Sequence, residues 1–299
     1  MSGLVVDTGA SRDAFEQLLG RLRPKLHRYC ARMTGSVIDG EDVVQEALLK
    51  ALEAFTEAGT IVSPEGWLFR IAHNAALDFL RRRSRQEFHR SDEDPDMVVD
   101  PKSAADDHQT AATSLRTFMR LPAAQRSSVI LMVVLGYSLE EIGGIIDASI
   151  PAVKAALHRG RTRLRELAQE PDDFPTPMLA TRERSLLAAY VDRFNARDFD
   201  AVRAMLAGEV RLEVVDKVRL SGRTKVGTYF HNYDRLADWK LVPGLVDRRP
   251  AALVHDPANP SAPPIYFVLL EWADHGLINI RDFRYARYAI EGAEFIEVE

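Results

Sequence analysis

Lys154, His158, Arg161 and Arg165 recur at spacings of four, three and four, so on a helix they share one face. A row of cationic donors of this kind suits phosphates and base edges in a DNA major groove. Val153, Leu157, Leu164 and Leu167 fall on another face of the same stretch, which makes the helix cationic on one side and apolar on the other. Just upstream, Ser138-Leu139-Glu140-Glu141 has the form of a capping box, a serine cap with a glutamate three residues on that reaches back. The short helix it opens turns Ile142, Ile145 and Ile146 inward and stops around Asp147-Ala148. Ser149 then caps the basic helix, with Pro151 in its first turn, leaving the N–H groups of Ser149, Ile150 and Ala152 to meet phosphate. A short helix, a tight turn and a basic second helix make a helix-turn-helix, whose second helix packs on the first and still faces DNA. A solvated basic helix is the plainer reading of the same face.

A second cationic tract, Arg81-Arg82-Arg83 with Arg85, ends a helix that also carries Trp67, Arg70, His73, Asn74 and Asp78. Phosphate-binding charge is thereby combined with groups able to contact unstacked bases. The helix dipole explains arginines at a helix end equally well, and Trp67 at helical spacing also reads as core. The run Asp39 to Glu46 places acids in the first turn of a helix, where any helix favours them.

The elements that must position these groups are legible from pattern. Phe15, Leu18, Leu19, Leu22, Leu26 and Tyr29 mark one helix face. A second helix opens at Asp39, whose side chain can cap it, and presents Val44, Ala47, Leu48, Ala51 and Phe55 along one side. A third begins at Ser63-Pro64, a cap followed by proline at the first helical position. Between Gln86 and about Gln109 periodicity fades and acid dominates, the composition of a linker. Helices resume from about Ala111 to Leu167, and Glu170 to Pro177 forms a proline-stiffened second linker. Beyond it come a helix with Leu186, Leu187, Tyr190 and Phe194, a short helix ending near Leu206, and strand-like alternation. Val210, Leu212 and Val214 share one strand face, and Ile265, Phe267 and Leu269 another. The chain is therefore multidomain, all-α and then α+β.

The 299 residues, 46% hydrophobic and 28% charged, hold material for two or three domains at roughly 100 to 200 residues each. The net charge of -5 is a sum over the chain, whereas local runs steer nucleic acid. Cys30 is the single cysteine, which excludes an internal disulfide and a thiolate metal cluster; a buried, inert thiol in a reducing compartment is expected. His231, His255 and His275 lack metal-ligand spacing, and no metal or cofactor is expected. Apolar runs such as Ser128 to Leu135 fall short of the roughly 20 residues of a membrane span, and the N-terminus lacks a signal layout. A cytoplasmic location without a membrane partner is expected.

Taken together, the first 170 or so residues resemble the extracytoplasmic-function (ECF) sigma factors. Asp39 to Leu52 (DGEDVVQEALLKAL) looks like the helix that grips the clamp of the polymerase β′ subunit in that family. Trp67 to Arg83 (WLFRIAHNAALDFLRRR) is similar to the helix that opens and reads the minus-ten element. Leu121 to Leu167 looks like the fourth region, whose helix-turn-helix reads the minus-thirty-five element. The resemblance implies a non-enzymatic, promoter-specific subunit of core RNA polymerase, bound to the β′ clamp and β flap and to promoter DNA. It divides the chain into region 2 at 10–86, an acidic linker at 87–112, region 4 at 113–169 and a second linker at 170–179. It implies that Asp42, Gln45 and Glu46 face the clamp, and that Trp67, Arg70, Asn74, Asp78, Arg81 and Arg82 lie near the melted strand. A loop at 56–64 would hold a flipped base, and Ser149, Pro151, Lys154, His158, Arg159 and Arg161 would meet the upstream duplex. Many members carry serine and arginine after the recognition-helix lysine, whereas Ala155 and Ala156 stand here, so the promoter preference does not follow from better-known members. An anti-sigma partner is left open.

Residues 180–299 resemble the SnoaL-like, NTF2-like cone domains appended to some sigma groups. That resemblance implies a curved sheet over helices, with a pocket for a small ligand lined by Tyr229, His231, Tyr233, Trp239, Trp272, Asp282 and Arg284 and a regulatory role. Two other readings compete: a SnoaL-like enzyme fused to a DNA-binding regulator, and a plain helix-turn-helix transcription factor. The first lacks an evident nucleophile, metal cluster or phosphate-binding glycine loop. The second has no use for the surface at residues 39–52.

Overall fold

The computed structural model of the chain describes residues 12–55, 61–88, 114–170, 178–234 and 238–298. Residues 56–60 of the flipped-base loop, residues 89–113 of the acidic linker and residues 171–177 of the second linker lie outside the described residues. The chain forms two compact units, residues 1–173 and 174–299.

In the first unit α1 (Arg12–Thr34) buries Phe15, Leu19, Leu26, Tyr29, Cys30 and Met33 along the face that the spacing predicts. α2 (Val37–Phe55) begins two residues before Asp39. Its start is held by Ser36, whose Oγ accepts the N–H groups of Ile38 and Asp39 at 3.2 Å each. Asp39 is therefore not the cap; it lies within the first turn, with Arg83 at 3.7 Å. α1 and α2 meet at Gly40, where a Cβ would stand 2.6 Å from the backbone N and Cα of Ala31. Gly40→Ala is accordingly expected to destabilise the unit by about 2–3 kcal/mol through overpacking. Thermal melting checks this, and an unchanged midpoint would mean that the helices can part at no cost.

α3 (Pro64–Phe88) starts at the Ser63-Pro64 signal, with the Trp67 N–H on the Ser63 carbonyl at 2.9 Å. Then come α4 (Leu115–Met119), α5 (Ala123–Val129), which widens into a π-type turn over Ile130–Val134, α6 (Leu139–Ile146) and α7 (Ile150–Leu167). The capping box at Ser138 is formed in both directions, and Asp147 ends α6 in the left-handed region at φ 56°. One continuous core joins Phe15, Tyr29, Val44 and Phe69 of the first three helices to Phe118, Ile130, Ile142 and Leu157 of the later ones. Arg126 is buried in that joint. Its guanidinium donates to the carbonyls of Met33 (2.6 Å), Leu121 (2.8 Å) and Met119 (3.2 Å), and burial lowers its pKa to about 10.

The second unit places α8 (Thr181–Asn195), α9 (Phe199–Ala204), α10 (Arg223–Tyr229) and α11 (His231–Asp234) with a mixed sheet. The strands are β1 (Leu206–Val214), β2 (Val218–Ser221), β3 (Lys240–Val246), β4 (Arg249–His255), β5 (Tyr266–Ala273), β6 (Gly276–Asp282) and β7 (Phe295–Glu297). They run in the order β2-β1-β6-β5-β4-β3-β7; β1 and β6 are parallel and the other pairings antiparallel. Breaks of register in β1 and β5 increase the local bend, as bulges do. Leu187, Tyr190 and Phe194 of α8 pack with Val210, Leu212 and Val214, the face expected of β1. In β5 the expected pattern is only half the story. Tyr266, Val268 and Leu270 face the helices, while Phe267 and Leu269 are buried on the opposite face, Phe267 stacked on Phe283 at 4.2 Å.

Candidate nucleic-acid and polymerase interface

α7 is positioned by its apolar face. Val153, Leu157, Leu164 and Leu167 are buried, and Gly160 lets the helix approach α5 so closely that a Cβ would lie 2.7 Å from Val129 Cγ2. Ser149 Oγ accepts the Ala152 N–H at 3.4 Å. That N–H is thus already engaged, contrary to its expected availability for phosphate. Ser149, Pro151, Lys154, His158 and Arg159 are exposed, and Arg161 is half-buried. Lys154, His158, Arg161 and Arg165 rim a groove of about 250 Å³ that Met132, Leu139 and Leu157 floor. The cationic stripe therefore borders an apolar trough, which the spacing alone does not reveal.

On α3, Asn74 and Arg81 are exposed, and Trp67 is half-buried beside Phe15 at 6.2 Å. Arg81 pairs with Asp78 at 3.1 Å. The Arg70 guanidinium donates to the Gly144 carbonyl of α6, at 2.9 Å from Nε and 2.5 Å from a terminal nitrogen. Arg82 reaches α2, where it meets Glu46 at 2.7 Å. Glu46 also holds Lys50 at 2.8 Å. Burial pushes the Glu46 carboxyl up, but the hydrogen bonds from Lys50 and Arg82 outweigh it and hold it below the usual glutamate range. Asp42 is exposed and Gln45 half-buried on the same helix. Expected polymerase and DNA residues thus meet in one ion pair.

Below this surface lie buried groups. Cys30 is buried, and burial pushes its thiol well above the usual range. His73 is lowered to about 4 by burial, with Tyr29 Oη at 2.7 Å from its Nδ1.

In the second unit, Tyr229, Tyr233 and Asp282 converge. The two tyrosine hydroxyls donate to Asp282 Oδ2 at 2.5 and 2.9 Å, and the Arg284 N–H donates to Oδ1 at 2.8 Å. Burial raises the Asp282 carboxyl above its ordinary range despite these bonds. Arg284 itself donates to Tyr266 Oη at 2.9 Å and to Asp238 at 2.7 Å. Burial pushes the Tyr266 phenol up to about 12. Trp239 packs edge-on against Phe194 and Tyr233, and Trp272 against Tyr190. His231, expected beside them, is exposed and turned to the Thr228 carbonyl. Tyr266 was not anticipated; its alternation with Val268 and Leu270 is the signal that would have found it. Among the described residues no group of three or more histidine, cysteine or acidic side chains could hold a metal ion, and no helix is long and apolar enough to cross a membrane.

The helical unit matches the family model of sigma-70 region 2 over residues 18–86 and that of sigma-70 region 4 over residues 115–164. The RNA polymerase sigma factor CarQ of Myxococcus xanthus is 35% identical over 165 residues, covering 54% of this chain and 92% of CarQ. The ECF sigma factor SigE of Mycolicibacterium smegmatis is 31% identical over 163 residues, and the chain spans 62% of its length and 52% of its own. SigG of Mycobacterium tuberculosis is 26% identical over 280 residues, which cover 84% of this chain and 76% of SigG. The chain belongs to the ECF sigma factors of RNA polymerase. It is an alternative sigma factor with helical regions 2 and 4, followed by a domain of helices and a seven-stranded sheet.

Proposed function

We propose that the chain docks on core RNA polymerase through α2, with Asp42, Gln45 and Glu46 on the β′ clamp, and that the β flap lays an apolar segment in the groove floored by Met132, Leu139 and Leu157. On this reading residues 10–86 act as region 2 and 113–169 as region 4. Trp67, Arg70, Asn74, Asp78, Arg81 and Arg82 handle the minus-ten element, while Ser149, Pro151, Lys154, His158, Arg159 and Arg161 meet the minus-thirty-five duplex. The observation that carries the reading is the pair of cationic helix faces, one on α3 and one on α7, each held by an apolar opposite side. Two small basic surfaces on a net acidic chain release few counterions, so the free protein binds promoter DNA weakly. Polymerase fixes their spacing and makes engagement bivalent. The setting is the cytoplasm.

The second unit regulates this activity, and the cluster around Asp282 is where a small ligand would act. A linker as short as residues 170–179 keeps the two units at high mutual concentration.

In vitro transcription with purified core polymerase tests the whole. Lys154→Ala is expected to weaken selection at the upstream element roughly 10-fold or more, with core affinity unchanged. Asp42→Ala is expected to weaken core binding at every promoter alike. Core affinity untouched by Asp42→Ala would refute the clamp assignment, and equal transcription with and without residues 172–299 would refute the regulatory role.

A further inference from the structure

The outward face of α7 is not cationic throughout. Val153, Ala156, Leu157, Gly160 and Leu164 make its buried side. At about 100° per residue, the direction opposite to them falls on Pro151 and Ala155, and both are exposed. Lys154 and His158 flank this line on one side and Arg159 on the other, all three exposed. Of the two alanines that follow Lys154, Ala156 is buried at 6% exposure, so Ala155 is the one that faces away from the core. Ile150, at the start of the helix, is 38% exposed and adds apolar surface there.

The first half of a recognition helix is the part that reaches base edges. Here its outermost side chains, Pro151 and Ala155, carry neither a donor nor an acceptor. The backbone of the same turn adds little, because Pro151 has no N–H and the Ala152 N–H is held by Ser149 Oγ at 3.4 Å. Proline in a first turn and alanine in a second both suit a helix. Their place opposite the core, between exposed cations that draw DNA to this face, gives them a base edge as partner. Thymine alone presents an apolar group, its 5-methyl, in the major groove. A cytosine amino group or a guanine oxygen under the same carbon atoms would lose water without gaining a partner. Pro151 and Ala155 stand four residues apart, about 6 Å along the helix, which is roughly two base-pair steps of 3.4 Å.

We propose that Ala155, aided by Pro151, is the specificity-determining residue of α7 and selects thymine, by apolar contact with the 5-methyl group, at one or two positions of the upstream element. This selection rests on α7 being the helix that meets the upstream duplex, and it deepens that assignment by naming the base taken. The flanking cations hold the helix in the groove, and Ala155 decides which base pair lies beneath it.

The test uses holoenzyme assembled from purified core RNA polymerase and the full chain, selecting from duplexes randomised across both promoter elements. The selected duplex is then resynthesised with deoxyuridine replacing one upstream thymine at a time, which deletes the methyl and keeps the base pair. Thymine should be selected at one position, or at two positions about two steps apart. Deoxyuridine there should lower affinity roughly 4-fold, the scale of one buried methylene, with an unchanged salt dependence because no phosphate contact is lost. Ala155→Ser places a hydroxyl on the same outward line; it should abolish the deoxyuridine effect at one of these positions and the preference for thymine with it. Upstream selection without thymine, or full affinity for deoxyuridine at every upstream thymine, refutes the proposal. A thymine preference that survives both deoxyuridine and Ala155→Ser reports on duplex shape and refutes it as well. Lys154→Ala separates the underlying assignment: if neither this variant nor Ala155→Ser changes which upstream sequences are selected, α7 does not meet the upstream duplex and both fail together.

Discussion

Arg126→Ala should cost the first unit about 3–5 kcal/mol, enough to unfold a domain of ordinary stability. Three carbonyls, those of Met33, Met119 and Leu121, end on this one guanidinium. They belong to the end of α1 and to the turn between α4 and α5. Truncation removes a hydrogen-bonded cation and strands the buried Met33 and Leu121 carbonyls, each at a cost of about 1–3 kcal/mol, and the part-buried Met119 carbonyl at less. Arg126→Lys restores the charge but not the planar fork, and should recover less than half of the loss. Urea unfolding followed by far-ultraviolet circular dichroism measures both. A loss below about 1 kcal/mol for the alanine variant would mean that the carbonyls find other donors.

Asp282→Ala should destabilise the second unit by about 3–5 kcal/mol, because it leaves the Arg284 N–H without an acceptor and removes the buried oxygen on which the Tyr229 and Tyr233 hydroxyls converge. Both tyrosines are spared part of the penalty, since the Tyr229 hydroxyl also reaches Tyr233 Oη at 3.0 Å and Tyr233 also bonds Tyr266. Asp282→Asn keeps the shape and separates charge from packing. Burial raises this carboxyl in the folded chain, so its contribution is fully present below the unfolded aspartate value of about 3.9 and is lost as pH rises through the higher folded value. The stability of the parent relative to the asparagine variant should therefore fall as pH increases from about 4. A difference that is flat with pH would show that the carboxylate is as well solvated by its three donors as by water.

Much of the architecture follows from local signals. Ser63-Pro64, Ser138 with Glu141, and Ser149 with Pro151 each mark a helix start where one occurs, because a cap is decided by the few residues around it. Asp39 fails as a cap for the same reason: Ser36, three residues earlier, reaches the N–H groups first. What the pattern does not hold is partnership over distance. Arg70 and Gly144 are 74 positions apart, and Arg82 and Glu46 are 36 apart; nothing in the periodicity of α3 says which neighbour claims its arginines. The single core shared by the helices on both sides of residues 89–113 is likewise invisible, since the composition of that stretch reads as a boundary. Alternation in β5 is read for one face only. Phe267 is covered by the Phe283 ring that follows β6, Leu269 is buried on the same face, and such a strand is apolar on both sides. His231 shares its ring chemistry with the buried aromatics, yet it stands exposed at the start of α11 with its ring on the Thr228 carbonyl.

If α2 and α3 bind as proposed, the Glu46–Arg82 ion pair gives this sigma factor a form of bookkeeping between its two binding surfaces. Whatever takes up the Glu46 carboxylate from one side releases the Arg82 guanidinium on the other, and a phosphate that captures Arg82 frees Glu46 in return. By thermodynamic reciprocity each event must favour the other to the same degree. On the proposed assignment of Glu46 to polymerase and Arg82 to promoter DNA, engagement of the enzyme and engagement of the template are then not independent affinities but two readings of one shared charge.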